Sequence, residues 1–177
     1  MVKLRILLLL LFCSINAQIA LPTFQAFYTP PSSPETLTFN NSPTTNSWGH
    51  SFTENDISWT LTNGASVYTE QSYIADELDG DYLINFNSRI GDIRRSDGAE
   101  FALTSVVIQG DDRAGSTTTV QFRAYKNGTM VQDETRTLSN SEWVNQSFNW
   151  SDIDQFTWDP TNPTTSNVAL DNLIYIP

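Results

Sequence analysis

Only one cysteine occurs in the 177 residues, Cys13, and it sits inside the hydrophobic opening of the chain. Beyond that opening there is no thiol, so neither a disulfide framework nor a sulfur-ligated metal site can hold the fold together. The hydrophobic core has to suffice. Histidine is equally scarce: His50 stands alone, in a Trp48-Gly49-His50 stretch. A lone histidine cannot build a zinc site, and a Ser-His-Asp triad would lack the Gly-x-Ser-x-Gly elbow that accompanies it. No glycine-rich loop runs into a lysine to cradle phosphate. Positive charge is short as well, nine Lys and Arg against twenty Asp and Glu, for a formal net charge of −11. Phosphate binding depends on clustered basic side chains, so nucleic acid and anionic membrane surfaces are excluded as partners. Long apolar runs are missing too. None approaches the roughly 20 residues that a membrane span requires.

The opening of the chain has the layout of a secretory signal. Lys3 and Arg5 precede the apolar run 6–12, which gives way to Ile15, Asn16 and Ala17. Residues 1–17 therefore read as a signal peptide cut after Ala17, and the mature protein as secreted or displayed at the cell surface. The bulky Phe12 ahead of Cys13 disfavours lipid attachment there. Loss of Lys3 and Arg5 leaves seven basic against twenty acidic side chains, a net charge of −13. Residues 18–34 hold Pro22, Pro30, Pro31 and Pro34. Prolines that dense fix φ and remove ladder donors, so this stretch reads as an extended leader. Residues 35–177 then form a single domain.

Within that domain the hydrophobic period is two, the signature of strands. Leu37 and Phe39 alternate with Thr36 and Thr38, and Ile57, Trp59 and Leu61 alternate with Ser58 and Thr60. Segments 82–86 and 101–108 also read as strands, the second turning nearly continuously apolar, as a strand covered on both faces does. The clearest element is a hairpin. Val120, Phe122 and Ala124 share one face, Gln121, Arg123 and Tyr125 the other, and Asn127-Gly128 supplies the two positive-φ residues of a type I′ turn. The return strand covers 130–138. Phe148 with Trp150, and Phe156 with Trp158, are each spaced two apart, and the two segments echo each other as consecutive strands of one sheet. A final strand covers 168–176. Many short strands punctuated by Gly, Asn, Asp, Ser and Pro predict an all-β, two-sheet antiparallel β-sandwich of jelly-roll type.

Three acid-rich places could serve as oxygen ligands for Ca²⁺: 76–81, Gly110-Asp111-Asp112-Arg113, and Asp171-Asn172. None has the spacing of a known calcium loop, and in turns Asp and Asn have ordinary work accepting backbone N–H bonds. Asp171 differs, because it interrupts an apolar strand. A buried carboxylate must be paired, hydrogen-bonded or metal-bound. Of the five tryptophans, Trp59, Trp150 and Trp158 alternate within strands and read as core. Trp48 and Trp143 have polar surroundings and could offer a sugar a flat apolar face. Two carboxylates suffice for glycoside hydrolysis, but twenty are present, so their presence selects nothing.

Gly98, Phe101, Leu103 and Ser105, the Tyr125-to-Gly128 hairpin tip, and Ala169-Leu170-Asp171-Asn172-Leu173 together resemble a group of bacterial secreted jelly-roll domains. The pattern is similar to the galactose-binding-like sandwiches that include carbohydrate-binding modules. The resemblance implies a structural Ca²⁺ held between an acid near the first strand and an Asp on the last, which by position are Glu35 and Asp171. Three function classes stay open, in this order. The first is a non-catalytic recognition domain binding glycan through Trp48 or Trp143. The second is a structural or adhesive extracellular protein that self-associates or joins another protein. The third is a small secreted hydrolase or lyase.

Overall fold

The computed structural model describes residues 32–40, 51–62, 65–68, 82–85, 89–112, 116–161 and 166–177, all within the unit Ser32–Pro177. The expected signal peptide, nearly all of the proline-rich leader, Trp48, His50 and the acidic stretch 76–81 lie outside the described residues.

Among the described residues the chain is built from strands: β1 (Glu35–Leu37), β2 (Ser51–Glu54), β3 (Ile57–Thr62), β4 (Ala65–Tyr68), β5 (Tyr82–Asn85), β6 (Gly91–Arg95), β7 (Phe101–Asp112), β8 (Thr117–Lys126), β9 (Thr129–Ser139), β10 (Val144–Ile153), β11 (Gln155–Pro160) and β12 (Ser166–Ile176). They form two antiparallel sheets. Sheet I has the order β10-β7-β12-β5-β4, with β1 also on β12, and sheet II the order β2-β3-β6-β11-β8-β9. The eleven residues of β12 give one edge room for two partners: β5 lies along Val168, Ala169 and Leu170, and β1 along Leu173, Ile174 and Tyr175. The all-β, jelly-roll sandwich read from the alternation is the fold observed.

Turn chemistry fixes the registers. Asn127 and Gly128 both have positive φ, 51° and 74°, so the β8–β9 hairpin closes in the twist-matched I′ manner. Asn55 and Asp56, at 54° and 58°, do the same between β2 and β3. Further positive-φ Asn and Asp residues lie at register shifts within strands: Asn149 and Asp152 in β10, Asn172 in β12. These side chains tolerate the left-handed region better than others, which explains their placement at bulges.

Between the sheets lies an aromatic core. Trp59, Trp158, Phe122, Phe156 and Tyr175 are fully buried, and Trp150 nearly so. Trp59 meets Tyr175 edge to face at 4.9 Å and Phe101 at 5.4 Å. The indole of Trp158 occupies the space a side chain at Gly91 would need, since a Cβ there would lie 2.0 Å from its ring, so only glycine fits opposite it. Arg136 closes one side of the core, its guanidinium 4.3 Å over Phe148 and donating to the Ser147 carbonyl at 2.7 Å.

Two expectations need correction. The Phe148/Trp150 and Phe156/Trp158 segments are not neighbours in one sheet. β10 pairs with β7 in sheet I, whereas β11 pairs with β6 and β8 in sheet II. The chain crosses the sandwich at Asp154, and the two aromatic pairs meet through the core, Phe148 to Phe156 at 5.4 Å. Period two reports which way a side chain points relative to its own strand; it carries no information on which sheet the strand joins. Nor do Gly110, Asp111 and Asp112 form a turn. They extend β7 and pair with Val168, Asn167 and Ser166 of β12.

Candidate ligand-binding face

Alternation in sheet II sends every second side chain away from the core. From the paired registers, one row across the sheet holds Thr60, Arg94, Gln155, Tyr125 and Met130. The next row holds Asp92, Thr157, Arg123 and Asp133, and beyond it stand Asp159, Gln121 and Thr135. At about 4.8 Å between strands, the four strands β6, β11, β8 and β9 carry this surface over roughly 14 Å.

At its β6 end Asp92 is fully buried although it points away from the core. Arg94 donates to it from Nη2 at 2.7 Å and from Nε at 3.3 Å, and the Gln155 amide donates to the same carboxylate from the neighbouring strand. The ion pair and amide bond supply the donors that a buried charge needs. Thr157 beside it is also buried, its hydroxyl donating to the Arg123 carbonyl at 3.4 Å. Arg123 lies between two acids, 3.4 Å from Asp159 and 4.0 Å from Asp133, and donates to the Gln121 side-chain carbonyl. Gln121 in turn donates to both oxygens of Asp133, at 2.8 and 3.1 Å. Flat, fixed donors and acceptors thus cover one part of the face. Tyr125 and the half-exposed Met130 give its hairpin end an apolar patch.

The residues expected to form a site lie elsewhere. Trp48 is outside the described residues, and Trp143 is half-buried in the connection from β9 to β10. Glu35 accepts the Tyr175 hydroxyl at 2.7 Å. Asp171 is buried and accepts the backbone N–H of Asn172 at 2.7 Å, the amide turned aside by the bulge there. The two acids do not make one ligand set: Glu35 aligns with Tyr175, four positions along β12 from Asp171, or about 13 Å of extended strand. Among the described residues no group of three or more His, Cys, Asp or Glu side chains assembles. The acid that does organise the amino-terminal strand is Glu54, buried, which accepts Thr38 N, Thr38 Oγ1 and Phe39 N at 2.7, 2.9 and 3.0 Å. A separate hollow of about 220 Å³ lies by Glu100, Ala102, Asp152 and Ile176 at one end of sheet I, away from the polar face.

Sequence reasoning missed the face because its members are scattered along the chain; Asp92 and Gln155 are 63 residues apart. Its one visible trace is the Gln121, Arg123, Tyr125 alternation, which shares a face opposite Val120, Phe122 and Ala124.

No protein-family model matches the chain, and no curated protein matches it in sequence. Solved structures do match in fold. The K2 cleaved adhesin domain of Lys-gingipain superposes over 82% of this chain and 98% of its own, with a TM-score of 0.55 at 12% identity. The K1 cleaved adhesin domain of Lys-gingipain from Porphyromonas gingivalis superposes over 81% and 97%, with a TM-score of 0.52 at 12% identity. The CBM22-1 xylan-binding domain from Paenibacillus barcinonensis Xyn10C superposes over 82% and 95%, with a TM-score of 0.50 at 12% identity. At that identity the likeness is one of fold: a jelly-roll-like β-sandwich shared with adhesin and carbohydrate-binding domains.

Proposed function

We propose that the chain is a non-catalytic recognition domain, acting outside the cell, that binds a glycan on the outer face of sheet II. The observation carrying this reading is the buried Asp92 carboxylate, held by Arg94 and Gln155 on a face the sandwich does not use for packing. Sugars combine apolar C–H faces with many hydroxyls, and a binding surface answers with an apolar wall and a few fixed polar groups. Tyr125 and Met130 are suited to the first task, and Gln155, Arg123, Gln121 and Asp159 to the second. The fold likeness to a xylan-binding domain is consistent with the reading.

Titration of the purified chain with a panel of soluble oligosaccharides, followed by calorimetry and amide chemical shifts, tests it. Tyr125→Ala should weaken binding by about 1–3 kcal/mol with little change in stability. Trp143→Ala should leave affinity unchanged. The opposite pattern would move the site to the loop tryptophans, Trp143 and Trp48. Absence of binding across the panel would remove the reading.

One observation favours assembly as a second reading. β9 is an edge strand of eleven residues, exposed along almost its whole length, with Met130 and Val131 open to solvent. Such an edge can accept another strand. Sedimentation showing concentration-dependent oligomers, abolished by a proline in the exposed half of β9, would support this reading over the first.

A further inference from the structure

Charge on the outer face of sheet II is already matched within the protein. Its outward strand positions carry two cations, Arg94 and Arg123, and three anions, Asp92, Asp133 and Asp159. Arg94 is committed to Asp92 at 2.7 Å. Arg123 lies between Asp159 at 3.4 Å and Asp133 at 4.0 Å. Neither guanidinium offers an uncompensated charge to an incoming anion, because a carboxylate of the protein already neutralises it. An acidic ligand competing for the Nε–Nη2 edge of Arg94 would have to displace Asp92, and the displaced carboxylate, fully buried, would lose the partner that makes its burial tolerable. An acidic chain lying along the rows would also pass three carboxylates in turn, on a protein of net charge −11.

For an uncharged, hydroxyl-rich ligand the same arrangement is favourable. A paired carboxylate and guanidinium keep acceptor and donor capacity side by side, since an ionised Asp has about four lone-pair directions and Arg five N–H groups. At Arg123, whose partners Asp133 and Asp159 are partly exposed, adjacent hydroxyls of a sugar can give to a carboxylate and take from the guanidinium without disturbing the pair. The amides of Gln121 and Gln155 extend that pattern. The polar rows continue for roughly 14 Å across four strands, the scale of a chain segment rather than of a single ring.

We infer that this face selects an internal stretch of a neutral polysaccharide and rejects uronate-rich or sulfated chains. The inference rests on the saccharide reading above and deepens it. The test sets neutral xylo-, manno- and gluco-oligosaccharides against oligogalacturonates and sulfated oligosaccharides of similar length, by calorimetry on the whole chain at low and high salt. Neutral ligands should bind at least about tenfold more tightly than charged ones, a difference of about 1.4 kcal/mol. Their affinity should also change little with salt, as the absence of a net ionic contact requires. The double substitution Asp133→Asn with Asp159→Asn, which releases Arg123, should raise the affinity for oligogalacturonate several-fold. Charged chains binding more tightly than neutral ones would overturn the inference and leave the saccharide reading standing. No binding by either class would remove both. The wild-type panel decides even if the double variant fails to fold.

Discussion

Strands β6, β11 and β8 carry two chemistries on one backbone. On the inner side Ile93, Phe156, Trp158 and Phe122 pack to zero exposure, and the indole N–H groups of Trp158 and of Trp59 on neighbouring β3 have no acceptor among the described residues. On the outer side, one residue along, Asp92, Arg94, Gln155, Thr157 and Arg123 are linked by ion pairs and hydrogen bonds across three strands. The inner face tolerates an unmet donor because the ring around it buries a large apolar area. The outer face has no such compensation, so its buried carboxylate is supplied with donors. Burial alone therefore does not mark the core of this protein. Whether a buried group is polar and partnered separates the packing face from the candidate binding face.

Substitutions on the two faces should differ in size and in kind. Trp158→Ala leaves a hole beside Gly91 in the buried core and should cost about 3–5 kcal/mol in urea denaturation. Asp92→Ala removes the common acceptor of Arg94 and Gln155 and should cost about 2 kcal/mol, reduced from a fully buried pair because Arg94 is 42% exposed. Glycan affinity should fall with Asp92→Ala because the orientation of its two donors is lost. A Trp158 variant that unfolds no more readily than the Asp92 variant would erase the distinction between the faces.

Inner polar groups sharpen the comparison further, since Tyr175 points inward yet has a partner. Burial first, and then the hydrogen bond to Glu35, hold its phenol well above the ordinary value of 10.0. A raised native pKa means that the stability it contributes is complete below the unfolded pKa near 10 and is lost as pH rises beyond it. One unit above that value, near pH 11, the chain should have lost about 1.4 kcal/mol. Tyr175→Phe should flatten that part of the profile, as thermal melts from pH 8 to 11 would reveal. Equal slopes in the two proteins would show that the hydroxyl contributes nothing.

Much of the inner face was legible in the sequence and almost none of the outer one. Trp59, Trp150 and Trp158 were recognisable as core because alternation with polar neighbours is local information. The Asn127-Gly128 turn was legible for the same reason: the two residues state their own φ. The partnership of β1 with β12 followed from resemblance rather than from pattern. Assigning β10 and β11 to opposite sheets, or placing Asp92 under Gln155, needs the order of strands across the sheet. That order is set by long-range pairing which no window of a few residues contains. Glu54 escaped notice because its partners, two backbone N–H groups and the Thr38 hydroxyl, lie 15 and 16 residues away and leave no mark in a local window.

Asp171 is the last buried acid to set against this division. It points outward from sheet I and is 1% exposed, as enclosed as Asp92 in sheet II. Its carboxylate takes the Asn172 N–H at the bulge, where the left-handed φ of Asn172 turns that amide aside. A calcium ion on Asp171, the remaining proposal for this residue, would add a second stabilising role to the first. An ion that binds only the native state stabilises it by RT ln(1 + [L]/Kd), so a site kept a few-fold above its Kd contributes about 1 kcal/mol. For a domain of this size that corresponds to a melting temperature lower by roughly 2–4 °C in excess chelator. The comparison has to begin from protein whose calcium content is known by elemental analysis, and Asp171→Asn serves as the control. With the ion present, chelation should shift the wild type and leave the Asn variant unmoved, because the variant keeps an acceptor for the bulge but loses the charge a hard cation needs. Identical melting curves for calcium-loaded and chelated wild type would leave the carboxylate a structural hydrogen-bonding group. Sheet I would then hold its buried acid for architecture, and sheet II would hold the one that orients the donors of the candidate binding face.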